Sequence, residues 1–132
     1  MSARVCLSMI VRDEAHVIGR CLQAVKPLID TWVIVVDTGS TDGTQALIRS
    51  LPGDVPGHLH ERPWRNFGHN HSEAILLARG AADYLLFLDA DDILEAPPAY
   101  AWPTLDLDAY ELPIVHSDLR YRRIALVREA LG

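Results

Sequence analysis

Residues 31–37, TWVIVVD, are β-branched or apolar at every position before the closing aspartate. A strand without a polar face fits the middle of a sheet covered on both sides, which means a parallel sheet under helices. The flanking segments supply the helices. VCLSMIV, residues 5–11, reads as a first strand, and beyond the charged RDE the period changes. Ile18, Cys21, Leu22 and Val25 recur at helical spacing until Pro27 stops the pattern. After TWVIVVD, the polar turn TGSTDGT leads into a second helix with Thr44, Leu47, Ile48 and Leu51 inward and Asp42 as its cap. HLHER, residues 58–62, predicts a short third strand. A third helix starts near Asn66 or Phe67, with Ala74, Leu77, Ala78 and Ala81 inward and Gly80 near its end, and YLLFLD, residues 84–89, is a fourth strand. Strands alternating with helices in this way predict βαβ units, hence an α/β fold in three layers, α/β/α, around a mainly parallel, Rossmann-like sheet. EAPPAYAWP, residues 95–103, reads as an irregular loop, and YELPIV and YRRIALV then alternate as an antiparallel strand pair.

Composition excludes several classes of function. At 132 residues the chain fits one domain, and 49% hydrophobic with 23% charged residues is too apolar for disorder. Apolar runs are of strand length, so no transmembrane segment is expected, and no signal sequence opens the chain. These features predict a cytoplasmic protein, with association to the cytosolic side of a membrane as the alternative. A net charge of −6 excludes nucleic acid as the partner, because a phosphate backbone needs a basic stripe. Cys6 and Cys21, both in apolar surroundings, are expected as buried free thiols. The histidines form no zinc set: His58 and His60 share a strand face, while His69 and His71 point to different sides of a helix. Arg120, Arg122, Arg123 and Arg128 read as a solvated basic strand face.

The carboxylates are harder to explain as structure alone. Ligands of an open parallel sheet sit beyond the carboxyl ends of its strands. Three of the four strands end there in acid: Asp13 and Glu14 after the first, Asp37 after the second, Asp89 and Asp91 after the fourth. Like charges so close repel unless a cation sits among them. Oxygen ligands of this kind suit Mg²⁺ or Mn²⁺, which keep positions open for phosphate oxygens and water.

In order and spacing, CLSMIVRDEA, VIVVDTGSTDGT, WRNFGHNHSEAI and YLLFLDADDIL resemble the nucleotide-binding half of family 2 glycosyltransferases with the GT-A fold. The resemblance covers about the first 95 residues. It implies a donor-binding core over 1–95, followed over 96–132 by a loop and strand pair that begin an acceptor half, all within one domain. It implies that Asp37 recognises the nucleotide base, that Val11, Asp13 and Glu14 line base and ribose, and that Asp89 lies near ribose and metal. Asp91 would hold the Mn²⁺ or Mg²⁺ that bridges the diphosphate of a nucleoside diphosphate-sugar, a uridine diphosphate-sugar being favoured. The reaction implied is inverting transfer to the hydroxyl of a saccharide, lipid-linked or protein acceptor. Where the family commonly has arginine in the third block this chain has His71, whose charge is conditional.

Nothing in the sequence plainly supplies the base that deprotonates the acceptor. Asp92, Glu95 and Asp118 are the weak candidates. A nucleotide-binding or assembly module without turnover is therefore the alternative, and an uncovered C-terminal strand pair predicts a two-fold dimer. A haloacid dehalogenase-type phosphatase would need a lysine downstream of its aspartates, whereas the sole lysine, Lys26, lies upstream. A sugar-phosphate nucleotidyltransferase would open on a glycine-rich loop, which SMIVRDEA does not contain.

Overall fold

The computed structural model describes residues 3–50, 55–96, 100–116 and 118–129. One seven-stranded sheet runs through them, with strands β1 (Val5–Val11), β2 (Thr31–Asp37), β3 (Gly57–Arg62), β4 (Tyr84–Phe87), β5 (Asp92–Leu94), β6 (Ala109–His116) and β7 (Leu119–Arg128) in the order β3-β2-β1-β4-β7-β6-β5. The first half is parallel, β1 pairing with both β2 and β4, and β2 with β3. The second half is antiparallel: β7 pairs with β4 and β6, and β5 closes the far edge against β6.

Side-chain alternation builds the three layers. Val5, Leu7, Met9 and Val11 of β1 and Trp32, Ile34 and Val36 of β2 face helices α1 (Ala15–Val25) and α2 (Thr44–Ser50). The alternate residues Cys6 and Val33, with Leu85 of β4, meet Ala78 of α3 (Phe67–Ala78) on the opposite face. This is why β2 carries no polar face. The α1 residues Ile18, Cys21, Leu22 and Val25 are all buried, as their spacing predicts, and a single 3-10 turn at Lys26–Leu28 follows at Pro27. In α2, Thr44 and Ile48 are buried and Leu47 packs against the core, while Leu51 lies outside the described residues. Gly57 has no alternative at the start of β3, because a Cβ there would sit 2.2 Å from the Trp32 ring. Gly80 takes φ +78 just after α3, the left-handed conformation that closes a helix at little cost for glycine.

Two features depart from the sequence reading. The fourth strand ends at Phe87, two residues early, so that Leu88–Asp91 form a turn. The loop expected after Asp92 begins instead with β5, three residues paired to the far end of β6 with Asp92 opposite His116. The β6–β7 hairpin places β7 between β4 and β6, so the chain leaving β4 crosses β7 to reach β5. That crossing carries the carboxylates.

Candidate functional site

The site is assembled at the carboxyl ends of β1, β2 and β4. Val11 and Val36 are register partners, which brings the turns after β1 and β2 together. Asp13 locks the two turns. Its N–H donates to Ser40 Oγ (3.1 Å), its Oδ1 accepts from the Thr41 N–H (2.8 Å), and its φ of +48 is a left-handed conformation that aspartate tolerates. Asp42 does more than cap α2. It accepts from the Thr44 N–H, from the Thr44 hydroxyl, and from the Ala15 N–H at the start of α1. Asp37, only 7% exposed, accepts from the Gly39 N–H through Oδ1 (2.9 Å), while Arg12 Nε sits 3.2 Å from Oδ2. Its outward oxygen thus faces an exposed, mobile-length side chain, not a fixed partner.

Asp92 fixes the crossing from β4 to β5. It is 0% exposed, and its Oδ2 accepts from Arg123 on β7 (2.8 Å) and from the Asp89 N–H (3.1 Å). Its Oδ1 lies 3.0 Å from Nδ1 of His116, and the Arg123 guanidinium also donates to the Phe87 carbonyl (3.1 Å). From below, Cys21 Sγ of α1 contacts the Asp89 carbonyl at 3.6 Å. The turn is therefore held from three sides. Its other two carboxylates stay open: Asp89 is exposed, and Asp91, 42% exposed in its side chain, has Oδ1 3.4 Å from His116 Nδ1.

Negative charge at this edge is incompletely offset. Burial raises the Asp89 carboxyl above the usual range, with Asp92 and Asp91 adding to it and Arg123 opposing. Burial also raises the Glu14 carboxyl, with Asp91, Asp42 and Asp89 adding. The hydrogen bond to Asp92, then the Asp91 charge, raises His116. Among the described residues, Asp91, Asp92 and His116 bring one ligand atom each within 4.8 Å of one another, a hard-oxygen set with one imidazole that fits a divalent cation. Asp92 enters it with both oxygens already engaged, so the half-open Asp91 is the carboxylate with the most to offer a metal.

Beside this edge a crevice of about 540 Å³ opens between α3 and β7. Val11, Glu14, His71 and Asp89 all line it, with Arg12 and Arg123. His71 is stacked on Phe67 (centroids 5.4 Å apart, planes at 15°) and lies 6.1 Å from the Phe87 ring. A larger cavity, about 840 Å³, lies at the opposite ends of the strands, around Asp30, Asp83 and Trp102. It contains none of the strand-end acids, and chemistry places the site at the smaller one.

The structure thus gathers most of the expected residues. Val11, Glu14, His71 and Asp89 share the crevice, Asp37 adjoins it through Arg12, and Asp13 is turned into the loop it braces. Asp91 groups with Asp92 and His116, a set that does not include Asp89. Glu95 is paired with Arg120 (3.5 Å) on the surface, and Asp118 is exposed in the β6–β7 turn. Two residues escaped the sequence reading. His116 passed as a surface histidine, although its place at the end of an alternating strand set it opposite Asp92. Arg123, expected on a solvated face, is in fact the partner of a buried carboxylate.

Residues 6–97 match the profile of Glycosyl transferase family 2. The chain is 44% identical over 96 residues to a TPR repeat-containing protein of Synechococcus elongatus, covering 71% of this chain and 22% of that one. It is 28% identical over 88 residues to the lipopolysaccharide core biosynthesis glycosyltransferase LpsC of Rhizobium meliloti, covering 66% and 31%. An uncharacterized glycosyltransferase of Rickettsia felis is 36% identical over 86 residues, covering 65% and 28%. The chain therefore spans between 22% and 31% of the length of these relatives. Among solved structures, S. aureus TarS 1-349 superposes with a TM-score of 0.58 at 19% identity, over 70% of this chain and 28% of that one, and it does so equally in its complex with UDP. At that identity the likeness is one of fold.

Proposed function

We propose, on the premise that this chain belongs to glycosyl transferase family 2, that it binds a nucleoside diphosphate-sugar, with uridine diphosphate as the nucleotide, and contributes the donor side of a metal-dependent, inverting transfer to an acceptor hydroxyl. The observation that carries this reading is the convergence of Glu14, Asp89 and Asp91 from the ends of two different strands, with carboxyls that raise one another's pKa. Such an edge is poised for a cation and, through it, for a diphosphate.

Each residue has a distinct part. Asp37 offers Oδ2 to an N–H on the base edge once Arg12 swings aside. Val11 and Glu14 line the approach to the ribose. Asp91 and His116, with Asp92 behind them, hold Mn²⁺ or Mg²⁺, and Asp89 stands next to them. When bound, the ion supplies positive charge where the leaving diphosphate develops negative charge. His71, clasped between Phe67 and Phe87, is positioned at the phosphate end of the crevice.

A second reading, a binding module without turnover, is favoured by the state of the three base candidates. Asp92 is buried and saturated, Glu95 is tied to Arg120, and Asp118 sits at the hairpin turn. Incubation with UDP-glucose or UDP-N-acetylglucosamine and Mn²⁺, following released UDP, separates the two. Release that stops on chelation supports the transferase. UDP binding without release selects the module, and neither binding nor release contradicts both.

A further inference from the structure

The crevice between α3 and β7 has a feature that nucleotide and metal binding leave unused. Its outer walls are aromatic and open to solvent: Trp64 is 42% exposed, Phe67 68% and Tyr121 39%. Exposed aromatic rings belong to binding surfaces more often than to structure, and here they face a cavity instead of standing singly. They are also fixed in place. Asn70, almost wholly buried, accepts from the Arg65 N–H (2.9 Å) and donates to the Pro63 carbonyl (3.2 Å), which clamps the segment that carries Trp64. Asn66 caps α3 through the His69 N–H (2.8 Å), so Phe67 starts the helix at a defined angle and stacks on His71. Opposite them, Tyr121 stands on β7 two residues from Arg123, which the Asp92 carboxylate holds.

The rim is polar and of both signs: Glu14 and Asp89 accept hydrogen bonds, and Arg123 donates them. Flat apolar walls with hydrogen-bonding groups at the rim match a pyranose ring, whose C–H face packs on an aromatic ring while its hydroxyls reach outward to carboxylates and guanidinium. A nucleobase fits this crevice less well, since Asp37, the residue suited to reading a base edge, lies outside it beyond Arg12. We infer that this crevice holds a pyranose ring against Phe67 and Tyr121, with hydroxyls directed to Glu14, Asp89 and Arg123. The inference rests on the donor-binding reading only for the placement of the nucleotide. The ring can come from the donor's own sugar or from a saccharide acceptor, and the chemistry of recognition is the same.

The test uses the whole chain, wild type and the variants Phe67→Ala and Tyr121→Ala, both at exposed positions. Calorimetry with Mn²⁺ compares UDP with UDP-glucose and UDP-N-acetylglucosamine, and NMR with nucleotide-free methyl glucoside and methyl N-acetylglucosaminide follows the Trp64 indole N–H. If the donor's sugar occupies the crevice, each variant lowers the ratio of UDP-sugar to UDP affinity by ~2- to 10-fold, the range expected for loss of one aromatic contact. If an acceptor's ring occupies it, that ratio holds while a free glycoside shifts the Trp64 signal in wild type and not in the variants. Unchanged ratios with no glycoside response overturn the inference. So does an equal loss of affinity for UDP itself, which would put the nucleotide in the crevice. Absence of UDP binding by the wild type contradicts the donor-binding reading instead, and the glycoside arm then still decides the crevice.

Discussion

Asp37 shows how much depends on a single oxygen. Its Oδ1 is committed to the Gly39 N–H and its Oδ2 meets only the exposed Arg12. Replacing it with alanine leaves the turn short of one internal acceptor and removes the group placed to read the base. Asp37→Ala should weaken binding of free uridine and of UDP alike, by ~1–3 kcal/mol, the usual effect of stranding a polar partner. Titration of both ligands checks this, and a loss confined to the phosphorylated one would assign Asp37 a different role. The cysteines illustrate the opposite case. Burial pushes the Cys6 thiol up to about 11 and that of Cys21 up to about 12, with Asp92 and then Asp89 adding at Cys21, so both stay protonated and inert at neutral pH. They were legible in the sequence as apolar neighbours; His116 was not. A lone histidine after an apolar run carries no sign of its partner, and only the register that sets it opposite Asp92 makes it a ligand.

At the scale of elements, the regular parts were readable and the crossing was not. Helix α1 and strands β1, β2 and β4 declare themselves through period and through apolar content on both faces. Strand β5 has only three residues, too few for a period, and its partner β6 lies more than a dozen residues on. Nor does any local pattern reveal that β7 enters the sheet between β4 and β6 and thereby brings Arg123 beneath the acidic turn. That geometry separates two adjacent aspartates. Asp92→Ala removes a fully buried carboxylate and strands the Arg123 guanidinium, so urea unfolding should show a loss of about 3 kcal/mol. Asp91→Ala, at a half-open position, should stay within about 0.5 kcal/mol of wild type. Equal unfolding midpoints for the two variants would mean that Asp92 does not brace the turn.

For the molecule as a whole, the sheet divides its labour. Its parallel half presents the ends of β1, β2 and β4 along one edge, and its antiparallel half returns β7 and β6 to buttress the turn that carries Asp89, Asp91 and Asp92. Among the described residues no helix is long and apolar enough to cross a membrane, and the acids at the edge dominate its chemistry. The account stands on the claim that this edge binds a nucleoside diphosphate through a divalent cation. The direct measurement is calorimetric titration of UDP into the protein with Mn²⁺, with chelator in its place, and into Asp91→Ala with Mn²⁺. Binding to wild type with Mn²⁺ that is lost on chelation and in the folded Asp91→Ala variant is the predicted result. Equal affinity in all three titrations would contradict it.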